Sequence, residues 1–315
     1  MNNFFFSVQV VTPLILLMLG GYAGAYYKIL SPVFLTEANK FVFRFALPFL
    51  LFRNVFSAIH HGDINGNLIS ASLITIIAMI VLSCLLVPLF VKRNGQRGSM
   101  IQAIYRSNFL IYGIPLGMSI YGEAAMRPIS MVMAVSIPLY NMSAVLILAY
   151  FSENRTSRVF SWQSLVDVLR NPLIIGCAVG AVFGVFHLEL PPFIDRPIAD
   201  IAAIATPLAL IVMGGQFRFR SLHKNIRMVV SASVFRLIII PAVAMLIFIW
   251  IGFRGVELCA LFCLFATPTA VVSYIMSENM GCDGELSAQI IVLTTAASCF
   301  TIFAFVFIMK TMGVL

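Results

Sequence analysis

The chain has 315 residues, 61% of them hydrophobic and only 10% charged, with a mean hydropathy of +1.02 and a formal net charge of +8. A soluble domain cannot keep that much apolar surface from water, so the composition describes an integral membrane protein. The basic excess lies in short connections, not in a soluble domain, which speaks for anionic lipid and against nucleic acid as a partner.

Windows of about 20 mostly apolar residues, the length needed to cross a bilayer, predict ten spans. In chain order they are 8–27, 34–56, 68–91, 101–121, 128–151, 169–188, 199–217, 228–251, 255–277 and 286–309. The runs are continuous and do not alternate, which argues for helices over a β-barrel. The first stretch, MNNFFFSVQVVTPLILLMLGG, has neither a basic n-region nor a small-residue cleavage site and reads as a span, not as a signal peptide. Thirteen of the twenty basic residues fall in the connections after spans one, three, five and seven, among them Lys28, Lys92, Arg93, Arg97, Arg155, Arg218 and Arg227. By the positive-inside rule those connections are cytoplasmic and both termini lie outside, in a cell membrane such as a bacterial inner membrane. The ninth connection, SENMGCDGE, has no basic residue to match.

The halves repeat. Pro13 and Pro172, Gly21 and Gly180, and Pro48 and Pro207 are each 159 residues apart. Five spans per copy is an odd number, so the second copy would enter the membrane from the other side, giving inverted repeats at 1–152 and 168–315 joined by a cytoplasmic linker at 153–167. That is an architecture of secondary transporters, with sites near the midplane at interrupted helices. Span four, RSNFLIYGIPLGMSIYG, contains Arg106, Asn108, Gly113, Pro115 and Gly117, which a simple span would avoid. The 159 shift places Asn108 on Thr267 and Phe109 on Pro268 of span nine. Unwinding is therefore expected near 107–109 and 267–269, with freed backbone groups facing one cavity.

The same residues carry a family resemblance. Asn108, seven positions before Pro115 of Gly-Ile-Pro-Leu, and then Tyr121 and Gly122, resemble the fourth span of the auxin efflux carrier family with its plant PIN-type members. TPTAVVSYIMSENMG resembles the ninth at Pro268, Val272, Glu278 and Asn279, and FRLIIIP (Phe235 to Pro241) resembles the eighth. The resemblance implies an all-α crossover fold like that of bile-acid symporters and sodium–proton antiporters, with helices 4 and 9 broken and a core moving against a scaffold. Plant carriers have proline where this chain has Ser107, and many have a long central loop that is absent here. The chain looks more like the short bacterial members that resemble malonate and malate transporters.

Three arginines remain once those assigned to connections are counted: Arg53, Arg106 and Arg236. Intramembrane charges are costly and mark function unless they snorkel to the headgroups, which suits Arg236 best. No Asp or Glu sits mid-span, so the balance favours an anionic substrate, and arginine's planar fork suits a carboxylate. The substrate-binding residues expected are Asn108, Ser107, Arg106, Thr267, Pro268, Thr269 and Arg53. Gly113, Pro115 and Pro268 are the expected kinks, and Glu278 is the candidate for coupling. Six scattered cysteines and four histidines at span ends offer neither a metal site nor a catalytic constellation, so neither enzyme activity nor a cofactor is expected. The expected function is a transporter of a small organic anion such as malonate, malate or an auxin-like acid, in the bilayer as monomer or homodimer. An anion channel or a membrane receptor is the alternative, although no span carries the continuous polar stripe of a channel.

Overall fold

The computed structural model describes residues 2–59, 65–153 and 170–315; the expected linker at 153–167 lies almost wholly outside them. Among the described residues the structure is helical, without a named strand. Helix occurs in each of the ten windows. α1 is Asn2–Tyr26. α2 covers 32–59 and contains a π turn at Val42–Ala46. α3 is Gly66–Phe90 and α4 covers 94–121 in two halves, Asn94–Tyr105 and Phe109–Tyr121. α5 is Met126–Phe151, α6 Pro172–Val185 and α7 Pro192–Gln216. α8 covers 219–251 around a second π turn at Phe235–Ile239. α9 covers 255–279 in two halves, Gly255–Ala266 and Val272–Asn279, and α10 is Gly284–Thr311.

Several starts are written locally. Ser31 caps Phe34 N–H with Pro32 in the first turn, Asn171 caps Leu173 N–H ahead of Pro172, and Asp283 caps Leu286 N–H. A side-chain oxygen there accepts from an N–H that has no helical partner, and proline gives up an N–H that would be unpaired in any case. Among the described residues five stretches can cross a bilayer unaided by length and apolarity: Gly66–Phe90, Phe109–Phe151, Pro192–Gln216, Lys224–Ile251 and Gly284–Thr311. Two of the other expected spans, α6 and α9, differ for physical reasons. α6 has only 14 residues, about 21 Å at 1.5 Å per residue, where about 30 Å of hydrocarbon must be crossed. α9 is divided, and its first half has 12 residues. Pro115, expected as a kink, sits inside the uninterrupted turns of Phe109–Tyr121; the irregular backbone precedes it.

The helices sort by packing into two groups. α1, α2, α6 and α7 form one, in which α1 lies along α7 and α2 along α6 and α7. α3, α4, α5, α8, α9 and α10 form the other, with the first half of α9 against the second half of α4. Within the first group the backbones nearly touch. A Cβ on Gly180 would lie 2.5 Å from the Phe52 carbonyl oxygen, and one on Gly21 would lie closer still to the carbonyl of Ile211. Small residues let helices approach where water supplies no driving force between them, so dispersion must hold the pair together. Of the glycines in α1, Gly21 makes this contact, Gly24 faces the Leu30 side chain, and Gly20 has nothing within 4 Å of its Cβ position.

Gly21→Ala should therefore force α1 from α7 and cost about 1–3 kcal/mol, as overpacking does. Gly20→Ala should be neutral or slightly stabilising. Melting of the purified protein checks this; equal effects at the two positions would contradict the packing.

Candidate functional site

The two interrupted helices meet at their interruptions. α4 leaves helical geometry at Arg106–Asn108, and α9 does so at Thr267–Val271. Ser107 and Thr269 form an antiparallel β-bridge. The Asn108 N–H donates to the Pro268 carbonyl at 2.7 Å, and the Ala270 N–H donates to the Arg106 carbonyl at 3.3 Å. Each broken segment thus satisfies backbone groups of the other, in a region where a lone polar group would cost several kcal/mol. Pro268 explains the break in α9, because the residue before a proline is pushed out of the α region; Thr267 sits at φ −76°, ψ 152°. No proline lies at the break in α4, since Pro115 comes seven residues after Asn108. Arg106, at φ −86°, ψ 111°, is extended because it pairs with α9.

The unwinding falls where the sequence placed it, but the register differs. Asn94 and Gly255, which open the two first halves, are 161 residues apart, as are Tyr105 and Ala266, which close them. By that shift Asn108 corresponds to Thr269 and Ser107 to Pro268, whereas the antiparallel pairing sets Ser107 beside Thr269 and Asn108 beside Pro268; the 159 shift, which fits the glycines of the first helix group, is two residues short here.

A cavity of about 50 Å³ sits at the crossing. Arg106, Ser107 and Asn108 line it from α4, Ala270, Val271 and Val272 from α9, and Tyr140 and Asn141 from α5. The opposite wall comes from α2 and α7, with Leu50, Leu51, Asn54 and Thr206. Arg106 is buried and donates to the Asn141 side-chain oxygen and, at 2.8 Å, to the Met276 sulfur. Among the described residues no Asp or Glu is buried, so its charge meets no buried carboxylate. The Asn108 side-chain nitrogen is buried without a partner, as is the Thr267 hydroxyl. Thr269 is engaged: its hydroxyl donates to the Ala103 carbonyl at 2.8 Å, and its N–H donates to Thr294 Oγ1 at 3.3 Å. Ser107 reaches the Tyr140 hydroxyl at 3.5 Å. The second halves of α4 and α9 both begin at this cavity, and a helix N-terminus carries roughly +0.5 charge.

Thr267, Pro268 and Thr269, expected to bind substrate, form the backbone of the crossing but do not line the cavity, and Arg53 and Glu278 lie farther away. Arg53 donates at 2.8 Å to the Asp195 carboxylate at the start of α7 and does not line the cavity. Glu278 lies at the far end of α9, over Gly284, where partial burial and then the carboxylates of Asp283 and Glu285 raise its pKa above the ordinary carboxylate value. Arg236 does not snorkel. It is fully buried and bonded to four carbonyls. Sequence reasoning missed Asn54, Thr206 and Asn141; a polar residue within an apolar window was the only signal for each.

On the side of the basic connections a vestibule of about 990 Å³ opens, lined by Lys28, Arg93, Arg218, Glu153, Glu278 and Asp283 among others. Side chains tie the two helix groups together beside it. Asn39 of α2 donates to the Tyr274 hydroxyl at 3.3 Å, Tyr274 donates to Gln216 of α7, and Asn279 donates to Asn39. None of these four is charged.

Because the Asn108 amide nitrogen has no protein partner, Asn108→Ala should change stability by less than about 1 kcal/mol. A larger drop in the melting profile would mean that the side chain holds the crossing itself.

Residues 6–306 match the family model described as membrane transport protein. The chain is 22% identical over 303 residues to an uncharacterized transporter of Methanocaldococcus jannaschii, covering 92% of this chain and 95% of the relative. It is 24% identical over 302 residues to an uncharacterized transporter of Methanothermobacter thermautotrophicus, covering 93% and 95%. With a match over nearly the whole chain and a helical, apolar structure to go with it, the chain belongs to the membrane transport protein family that includes the auxin efflux carriers.

Proposed function

We propose that the protein carries a small organic anion, a carboxylate, across the cell membrane by alternating access at a crossover of α4 and α9. In this reading the chain makes ten spans in two inverted repeats, 1–152 and 168–315, with both termini outside. The observation that carries it is Arg106, buried at the crossing with no buried carboxylate among the described residues to answer it, beside the unpartnered amide of Asn108. A guanidinium and two positive helix ends around one cavity suit a carboxylate, which accepts bidentate bonds from arginine and N–H bonds from a first helical turn. Ser107, Asn108 and the backbone that opens the second half of α9, at Val271 and Val272, would complete the contact, while the backbone of Thr267–Thr269 is held by Arg236, Asn108 and Thr294.

The repeat is supported by paired contacts. Gly21 meets Ile211 and Gly180 meets Phe52, and both members of one pair lie 159 residues from those of the other. The two helix groups supply the moving parts. A 50 Å³ cavity holds a water or two and not a carboxylate with several heavy atoms, so loading requires the group of α1, α2, α6 and α7 to part from the crossing. The neutral contacts of Asn39, Gln216, Tyr274 and Asn279 can break without stranding a charge. An inside-negative potential drives anion export by about 2.3 kcal/mol per charge at 100 mV. Glu278, at the vestibule, is positioned to respond to pH and not to touch substrate at the crossing.

Arg106→Lys should raise the KM for a transported carboxylate about tenfold with little change in expression, since a point charge lacks the planar fork. Saturation kinetics unchanged from wild type would remove Arg106 from the site. For topology, a cysteine at the exposed Lys92 should label from the cytoplasm and one at Ala124 from outside; the reverse pattern would overturn the orientation.

A further inference from the structure

We propose that Arg236 is the positioning residue of the crossing: it joins the C-terminal ends of the first halves of α4 and α9 and cancels their negative charge, so that the cavity is left electropositive. The proposal rests on the anion-carrier reading. Its contacts are specific. Nε donates to the Thr267 carbonyl at 2.9 Å, one terminal nitrogen to those of Ile104 and Tyr105 at 3.4 Å each, and the other to Leu264 at 3.3 Å. Two acceptors come from the last turn of Asn94–Tyr105, and two from the end of Gly255–Ala266 and the residue after it. A helix end leaves its last carbonyls unpaired, and breaking two helices inside a membrane leaves two such ends with no water to satisfy them.

The charges balance. Each helix C-terminus carries roughly −0.5, so two carry about −1, which one guanidinium offsets. No buried carboxylate competes for Arg236 among the described residues. The field at the cavity is then set by Arg106 and by the N-terminal ends of Phe109–Tyr121 and Val272–Asn279. The side chain is delivered by α8 from within the π turn Phe235–Ile239, a widened turn that re-aims the residues it contains. Arg236 thus acts on substrate through the two broken helices and not by contact.

The test uses the full-length protein as wild type, Arg236→Gln and Arg236→Lys, with succinate and succinamate as probes. These have the same size and differ by one charge. Thermal-shift titration gives the preference for the dianion. Arg236→Gln should reduce that preference about tenfold, because an uncancelled negative charge repels a dianion more than a monoanion. Arg236→Lys keeps the charge and should keep the preference, although an ammonium cannot reach all four carbonyls. Hydrogen exchange over 101–110 and 262–273 should be faster than wild type in both variants, with α3 unchanged. Equal weakening of both probes in Arg236→Gln would overturn the charge role. Wild-type exchange at either break in Arg236→Lys would overturn the positioning role, and this variant decides alone if the glutamine variant does not fold. A wild type that responds to neither probe would count against the carboxylate reading, and exchange at the breaks would still decide the role of Arg236.

Discussion

A helix interrupted within a membrane exposes carbonyls at one end of the gap and N–H groups at the other, and hydrocarbon can satisfy neither. The structure contains two such gaps, and each is the answer to the other. The backbone of 106–108 lies antiparallel to that of 268–270, so that two extended segments replace the missing helical bonds with a fragment of sheet. Arg236 takes up carbonyls from both sides. The unpartnered amide nitrogen of Asn108 lies on the other side of the crossing with Arg106, where the second halves of α4 and α9 begin. The polarity of the helices therefore sorts the crossing into an end that the protein neutralises and an end that it leaves open. The open end is positive, and that sign is the physical root of the anion reading.

Much of this was legible in the sequence because it is written in residue types with few other uses. Uninterrupted apolar runs place the helices, and Pro268 fixes the break in α9 by excluding the α conformation at Thr267. The break in α4 has no such local cause. It was found from Asn108, from an approximate repeat and from a resemblance, since Arg106 to Asn108 are extended only because α9 pairs with them. The repeat misled by two residues at the crossing, because a shift read from glycines and prolines in one helix group does not survive the connections into the other. Arg53 and Arg236 could not be placed by depth alone. An arginine near the end of an apolar run can snorkel, form an ion pair or cap a helix, and the choice depends on partners far along the chain: Asp195 for one, and carbonyls of α4 and α9 for the other.

The two helix groups differ in how they are held, and the difference suits motion. α1, α2, α6 and α7 interlock through backbone contacts at glycines, which tolerate little sliding. Between the groups, beside the vestibule, the contacts are amides and a phenol. Neutral hydrogen bonds of this kind contribute about 1 kcal/mol each and can be exchanged for water on opening. The panel also packs on the second group elsewhere, α1 on α10 and α2 on α5, so the neutral seam beside the vestibule is one part of the boundary along which the proposed motion would run. Substrate at the crossing would bridge Arg106 and Asn108 on one side and Asn54 and Thr206 on the other, so that loading itself would draw the two groups together.

The central claim is that this crossing carries an organic anion as a net charge. It is tested most directly by uptake of labelled small carboxylates into proteoliposomes containing the purified protein, with the membrane potential set by a potassium gradient. The account predicts saturable uptake that rises when the interior is made positive and that exchanges with carboxylate loaded inside. Uptake that is absent for every small carboxylate, or that is saturable but indifferent to the potential, would contradict it.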